Sequence, residues 1–242
     1  MDGVFVAEGD LVVERALRSG YELHSILVDG RRSKALPEVI GDEVPIYAAG
    51  PAVLQRITGY HLHRGMLACF HRRAVPTPSE ALEGATTVVV LEGINNPTNL
   101  GVILRCAAGL DVDAFLLDPT CCDPLYRRSG RVSMGEAYAL PYARIGAFPA
   151  GLDPLRDGGY TIVALTPAPD ADDIGQLRLG ADEPVAVLLG AEGPGLTPAA
   201  LTAADRRVRI PMSGTVDSIN VGSAAAVAFH AIRAARGRAI QR

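Results

Sequence analysis

The chain has 242 residues, 48% of them hydrophobic, and a formal net charge of −4. That apolar share excludes wholesale disorder, and the acidic balance excludes a uniformly nucleic-acid-coated protein while leaving room for a local basic face. No apolar run reaches the ~18 residues of a membrane-spanning helix, and the acidic start MDGVFVAEGDL is no signal peptide. Cys69, Cys106, Cys121 and Cys122 lack metal-ligand spacing, so they read as reduced thiols of a cytoplasmic protein with no metal.

In chain order, GVFVAEG reads as a strand and Gly9 to Ser19 as a helix with Leu11, Val12, Ala16 and Leu17 on one side. HSILVD, VPIYA and MLACFHR are further strands, with helical stretches expected around Lys34–Ile40 and Ala52–Ile57. Residues 1–73 therefore form a small α/β domain, and 74–85, with two prolines and little apolar patterning, a linker. From 86 to 242 the alternation resumes. It runs through strand TTVVVLE, helix Leu100–Leu110, strand AFLLD and a helix-like Arg131–Tyr138. Strands TIVALTP and PVAVLLG, a short helix near Pro198–Ala204, strand RVRIP and a last helix from about Asn220 to Arg236 complete it. Such alternation predicts a parallel α/β sheet.

Open parallel sheets bind ligands beyond the carboxyl ends of their strands, and three loops there are chemically unusual. In LEGINNPTNLGVILRCA, Asn96-Pro97 turns the chain and Asn99 suits a helix N-cap. Arg105, among Val102, Ile103, Leu104, Cys106, Ala107 and Ala108, is expected to be buried and so to need a partner: a carboxylate, a phosphate or an anionic transition state. LLGAEGPGL follows a buried strand with three glycines and one acid, Glu192, a candidate partner for Arg105. Its spacing is neither a dinucleotide fingerprint nor a P-loop. In RIPMSGTVDSINVGSAAAVAFHAI, Ser218 or Asn220 would cap the last helix.

In this order and spacing, NPTNLGVILRCA, LLGAEGPGL and IPMSGTVDSINVGSAAAVAFH resemble motifs 1, 2 and 3 of the SpoU/TrmH family, RNA ribose 2′-O-methyltransferases of the SPOUT superfamily. FVAEGDLVVERALRSG resembles the opening of the family's small substrate-binding domain. The resemblance implies a SPOUT-type parallel sheet with a C-terminal trefoil knot, a homodimer, and S-adenosyl-L-methionine as cofactor. It places the catalytic group at Asn99, Arg105, Glu192, Ser218 and Asn220. It places cofactor contacts at Gly190, Ile210 and Ile219, with Leu189, Met212 and Thr166 as neighbours. Phosphate contacts are implied for Arg127, Arg128 and Arg131, and the HLHRG stretch with His63 and Arg64 supplies a further basic edge. Gly222 departs from the motif-3 pattern and costs up to ~1 kcal/mol of helix stability. The separate N-terminal domain favours ribosomal over transfer RNA as substrate. The alternative of another class is a non-catalytic RNA-binding or ribosome-assembly protein of the same fold.

Overall fold

The computed structural model describes residues 3–37, 40–41, 43–59, 65–214, 216 and 218–237. The chain divides into two compact units. The small unit holds the residues up to Ala74 together with Asp123–Ala139, and the large unit holds Val75–Cys122 and everything from Leu140 on.

The small unit opens with β1 (Val4–Glu8), α1 (Asp10–Arg18), β2 (Leu23–Asp29), β3 (Ile46–Ala49), α2 (Pro51–Thr58) and β4 (Met66–His71). Its sheet runs β1-β4-β2-β3, with β4 antiparallel to β1 and β2, and β3 parallel to β2. The period-2 pattern buries Phe5, Ala7, Ile26, Ala68 and Phe70, and α1 buries Val12, Val13 and Ala16. The helix expected at Lys34–Ile40 is absent from Lys34 to Pro37, and Glu38 and Val39 lie outside the described residues. Pro37 disfavours helical backbone at the residue before it.

The large unit begins with α3 (Pro78–Ala81), β5 (Thr87–Glu92), α4 (Pro97–Gly109) and β6 (Ala114–Leu117). The stretch read as a linker thus carries a helical turn, closed by a capping box between Thr77 and Glu80. Residues 123–139, part of the small unit, form α5 (Arg127–Val132) and a 3-10 turn at Glu136–Tyr138, where one helix-like segment was expected. Glu8 accepts from Arg131 there, and Arg72 pairs with Asp123. The large unit resumes with β7 (Tyr142–Arg144), α6 (Asp153–Asp157), β8 (Thr161–Leu165), β9 (Asp172–Asp173), β10 (Val185–Gly190), α7 (Pro198–Ala203), β11 (Arg206–Arg209) and α8 (Val221–Ala235).

Its seven strands are ordered β7-β6-β5-β10-β8-β11-β9, and every pairing is parallel. All six residues of β5 are buried, as a strand covered on both faces requires. On one face Val88, Val90, Leu116, Ile162 and Leu188 form a core with Leu196 and Ala200. α4 and α8 pack against each other, and α8 buries the small residues Gly222, Ala225 and Ala228 beside Phe229 and Ile232. Because the strands are parallel, the loops after β5, β8, β10 and β11 all leave the same edge of the sheet.

Candidate active site

α4 starts three residues earlier than the pattern suggested. Its N-cap is Asn96, whose side chain accepts from the Thr98 N–H at 2.9 Å, with Pro97 in the first helical position. Asn99 is therefore not the cap. It sits inside the first turn, 7% exposed, with its side chain available for a long-range contact.

That contact is Asn220, the N-cap of α8. The Asn220 Oδ1 accepts from the Gly222 N–H at 2.9 Å, which fixes the amide's orientation. Its Nδ2 then donates both to Asn99 Oδ1 at 3.1 Å and to Glu192 Oε1 at 2.6 Å. Three loops from three strand ends are thus joined through one amide. Among the described residues no hydrogen bond uses Asn99 Nδ2, which leaves a donor for a ligand. Ser218 lies close enough to line the same cavity, but no described side chain bonds it.

The cavity measures about 460 Å³ and is bordered by the loops after β8, β10 and β11. Gly190, Ile210, Ile219, Leu189, Met212 and Thr166 all line it, together with Glu192, Ser218 and Asn220. No described lining residue is a cation, and Glu192 is the one described acid. The 190–197 loop that walls it is tight. A Cβ on Gly190 would lie 2.2 Å from the Gly195 carbonyl carbon and 2.3 Å from Leu196 N. Gly190 is needed because the chain passes so close to itself. Gly222 has a similar reason: a Cβ there would lie 2.5 Å from Val102 Cγ1, where α8 crosses α4.

Arg105 corrects the expectation of a buried charge. It is exposed on α4, and among the described residues it pairs with no carboxylate, Glu192 included. Its sequence neighbours are apolar, but adjacent residues do not share a helix face. An exposed guanidinium stays hydrated, so its lack of a protein partner costs little.

Of the basic residues, Arg127 and Arg131 approach Glu8, at 3.7 Å and 3.2 Å. Arg128 is exposed and no described carboxylate pairs with it. His63 and Arg64 lie outside the described residues.

Two supporting carboxylates escaped the motif reading. Glu92, 7% exposed at the end of β5, accepts from the Thr197 N–H at 2.8 Å and from its hydroxyl at 2.7 Å. A charged residue closing an otherwise apolar buried strand is the signal that marks it. Asp118, 6% exposed, accepts from the backbone N–H groups of Gly93, Thr120 and Cys121 and so braces the start of the β5–α4 loop. Burial pushes the Asp118 carboxyl up, but hydrogen bonds from Thr120, Cys121 and Gly93 outweigh it and hold it below the usual carboxylate range. Cys121 donates to the Leu91 carbonyl, and its thiol is raised to about 12 by burial first and by the Asp118 hydrogen bond second. All four cysteines are free thiols. Among the described residues no cluster of ligating side chains suits a metal, and no helix is long and apolar enough to cross a membrane.

A parallel α/β unit with a cavity past its strand ends and a polar trio at the rim is the layout of a ligand-binding enzyme domain. Comparison with known proteins gives the class a family. The model of the SpoU rRNA methylase family matches residues 86–230. An uncharacterized tRNA/rRNA methyltransferase of Mycobacterium tuberculosis (strain ATCC 25618 / H37Rv) is 45% identical over 227 residues, 93% of this chain and 79% of that protein. The AdoMet-bound rRNA methyltransferase structure from Sinorhizobium meliloti superposes with a TM-score of 0.81 at 24% identity, covering 96% of this chain and 87% of that one. A structure of an RNA 2′-O ribose methyltransferase gives 0.77 at 28% identity, covering 96% and 89%. The chain belongs to the SpoU family of RNA methyltransferases.

Proposed function

We propose that this protein methylates a ribose 2′-hydroxyl of RNA, ribosomal RNA in particular, with S-adenosyl-L-methionine as cofactor. The observation that carries the reading is the cavity of about 460 Å³ beside the hydrogen-bonded Asn99–Asn220–Glu192 trio. Its size and its largely aliphatic and backbone lining suit an adenosyl group. The missing cation in the described lining disfavours a phosphate-bearing nucleotide and suits a ligand that carries a sulfonium. The AdoMet-bound relative and the 2′-O ribose methyltransferase relative support the same reading. So does the family's description as rRNA methylases, which favours ribosomal over transfer RNA.

Gly190, Ile210 and Ile219 would hold the cofactor mainly through backbone, with Leu189, Met212 and Thr166 shaping the walls. S-adenosylmethionine supplies an electrophilic methyl group. The chain's own work is to hold a poor nucleophile beside it and stabilise the charge that forms. Asn99, with its free Nδ2, orients the ribose, and Asn220 holds Asn99 and Glu192 in register. Ser218 borders the same cavity and completes the polar rim. Guanidinium groups keep their charge in proteins, so Arg105 acts by stabilising the developing alkoxide and a nearby phosphate. Its exposure leaves it open to the RNA. Arg128 contributes a phosphate contact, and Arg127 and Arg131 do so once released from Glu8.

The same reading includes a homodimer and the trefoil knot. Exposed Val227 on α8 and exposed Ile219 at the cavity support a partner surface. Residues 1–73 act in this reading as the RNA-binding domain and 86–242 as the catalytic one. Calorimetry tests the site directly: S-adenosylmethionine binds and ATP does not compete. Tight ATP binding, or no S-adenosylmethionine binding, rejects the assignment.

A further inference from the structure

Glu92 is a buried carboxylate that no described Lys, Arg or His neutralises. A strand core needs only an apolar residue there, and burying a charge is costly unless hydrogen bonds repay it. Both Glu92 oxygens are used on one residue, Thr197. Thr197 in turn caps α7, accepting from the Ala200 N–H at 3.2 Å. Between them lies the loop that walls the cavity. One end is fixed because Gly190 stands opposite Glu92 in the β10–β5 register. Its neck is pinched by the Ala191–Gly195 bridge, with the Gly195 N–H donating to the Ala191 carbonyl at 3.0 Å. Its tip carries Glu192, bonded to Asn220. Gly190, Ala191, Glu192, Gly193 and Gly195 line the cavity, whereas Glu92 and Thr197 do not.

We infer that Glu92 is a positioning residue: its clamp on Thr197 sets the shape of the 190–197 loop and thereby the affinity for S-adenosylmethionine. The inference rests on the cofactor assignment above. A strong, charge-assisted pair of hydrogen bonds holds the far end of the loop, so loosening it lets the cavity wall move while the sheet stays formed. The effect falls mainly on binding, because the loop forms the cavity wall, and it reaches turnover through Glu192 at the loop's tip, whereas the proposed nucleophile-stabilising Arg105 sits on α4.

The test is calorimetry with S-adenosylmethionine on the full chain carrying Glu92→Gln, Thr197→Val or Thr197→Ser, beside thermal melts of each. Glu92→Gln and Thr197→Val should raise Kd roughly tenfold. In turnover assays KM for the cofactor should rise by a larger factor than kcat falls, since the loop reaches the polar trio only through the Glu192–Asn220 bond among the described contacts. Thr197→Ser keeps the hydroxyl and should restore Kd to within about twofold of the parent, since the same hydrogen bonds remain. Thr197 is exposed, so its valine variant folds even if a change at buried Glu92 does not. Parent-like Kd in Thr197→Val, with or without a lower melting temperature, overturns the inference and reduces the clamp to fold stability. Failure of the unmodified protein to bind S-adenosylmethionine overturns the cofactor assignment itself, a different outcome.

Discussion

Gly222→Ala measures how tightly the two site-bearing helices meet. On propensity alone, alanine in an exposed helix interior is favoured by about 1 kcal/mol. The packing argues the other way. The new Cβ would lie 2.5 Å from Val102 Cγ1, 3.0 Å from Val102 Cβ and 3.1 Å from Asn220 Oδ1. Val102 is β-branched and on a helix, so it has one strongly preferred rotamer and little room to turn away. A contact of 2.5 Å belongs in the upper part, about 2–3 kcal/mol, of the overpacking range; less the propensity gain, this leaves a net loss of roughly 1–2 kcal/mol. For a unit of this size each kcal/mol shifts the melting temperature by about 2–4 °C, so urea and thermal melts should show a loss of several degrees at an unchanged m-value. Adding Val102→Ala should recover part of it, since it removes the 2.5 Å contact with Cγ1 while the Cβ contact at 3.0 Å remains. A Gly222→Ala protein that melts at or above the parent, with no coupling to Val102, refutes the crossing geometry and the reason given for the glycine.

Three further outcomes follow from the site. Arg105→Lys keeps the charge but loses the planar fork, so turnover should fall at least about tenfold with cofactor affinity unchanged; parent-like turnover removes any role for the guanidinium. Asp118 has a folded pKa held below its unfolded value near ~3.9. Its contribution is therefore complete above that unfolded value and lost as pH falls through the folded one. The stability gap between the parent and Asp118→Asn, read from urea midpoints, should be full at pH 7 and shrink below about pH 4, whereas a gap independent of pH contradicts the hydrogen-bonding account. Cys121, buried and raised to about 12, should resist iodoacetamide at pH 8 in the native protein and react after denaturation; native labelling as fast as at Cys122 contradicts its placement.

Much of the site was legible because its cues are local. Apolar β-branched runs such as TVVVL and VAVLL mark buried parallel strands, and the Asn, Gly and Ser residues after them mark the loops. The six cofactor-contact positions carried over from the family motifs all line one cavity. What failed were inferences that treated sequence neighbours as spatial ones. Arg105 has apolar residues on both sides in sequence yet shares its helix face with Thr98, half-buried Val102 and exposed Gly109. The capping role given to Asn99 belongs to Asn96, and Asn-Pro with proline in the first turn was the readable cue. Glu92 and Thr197 are 105 residues apart, and no periodicity links them. The grouping of residues 123–139 with the small unit depends likewise on distant pairs, Arg72 with Asp123 and Glu8 with Arg131.

Methyl transfer tests the central claim most directly. Tritiated S-adenosylmethionine, the purified protein and unmodified total RNA are incubated, the labelled RNA is separated by size, and the labelled product is digested with alkali. A ribose 2′-O-methyl group blocks cleavage at its own linkage, because the neighbouring hydroxyl is gone. The account predicts label in ribosomal RNA, in an alkali-resistant dinucleotide, and its loss with Arg105→Ala. Label on a base, in alkali-sensitive mononucleotides, or no label in any RNA, contradicts it.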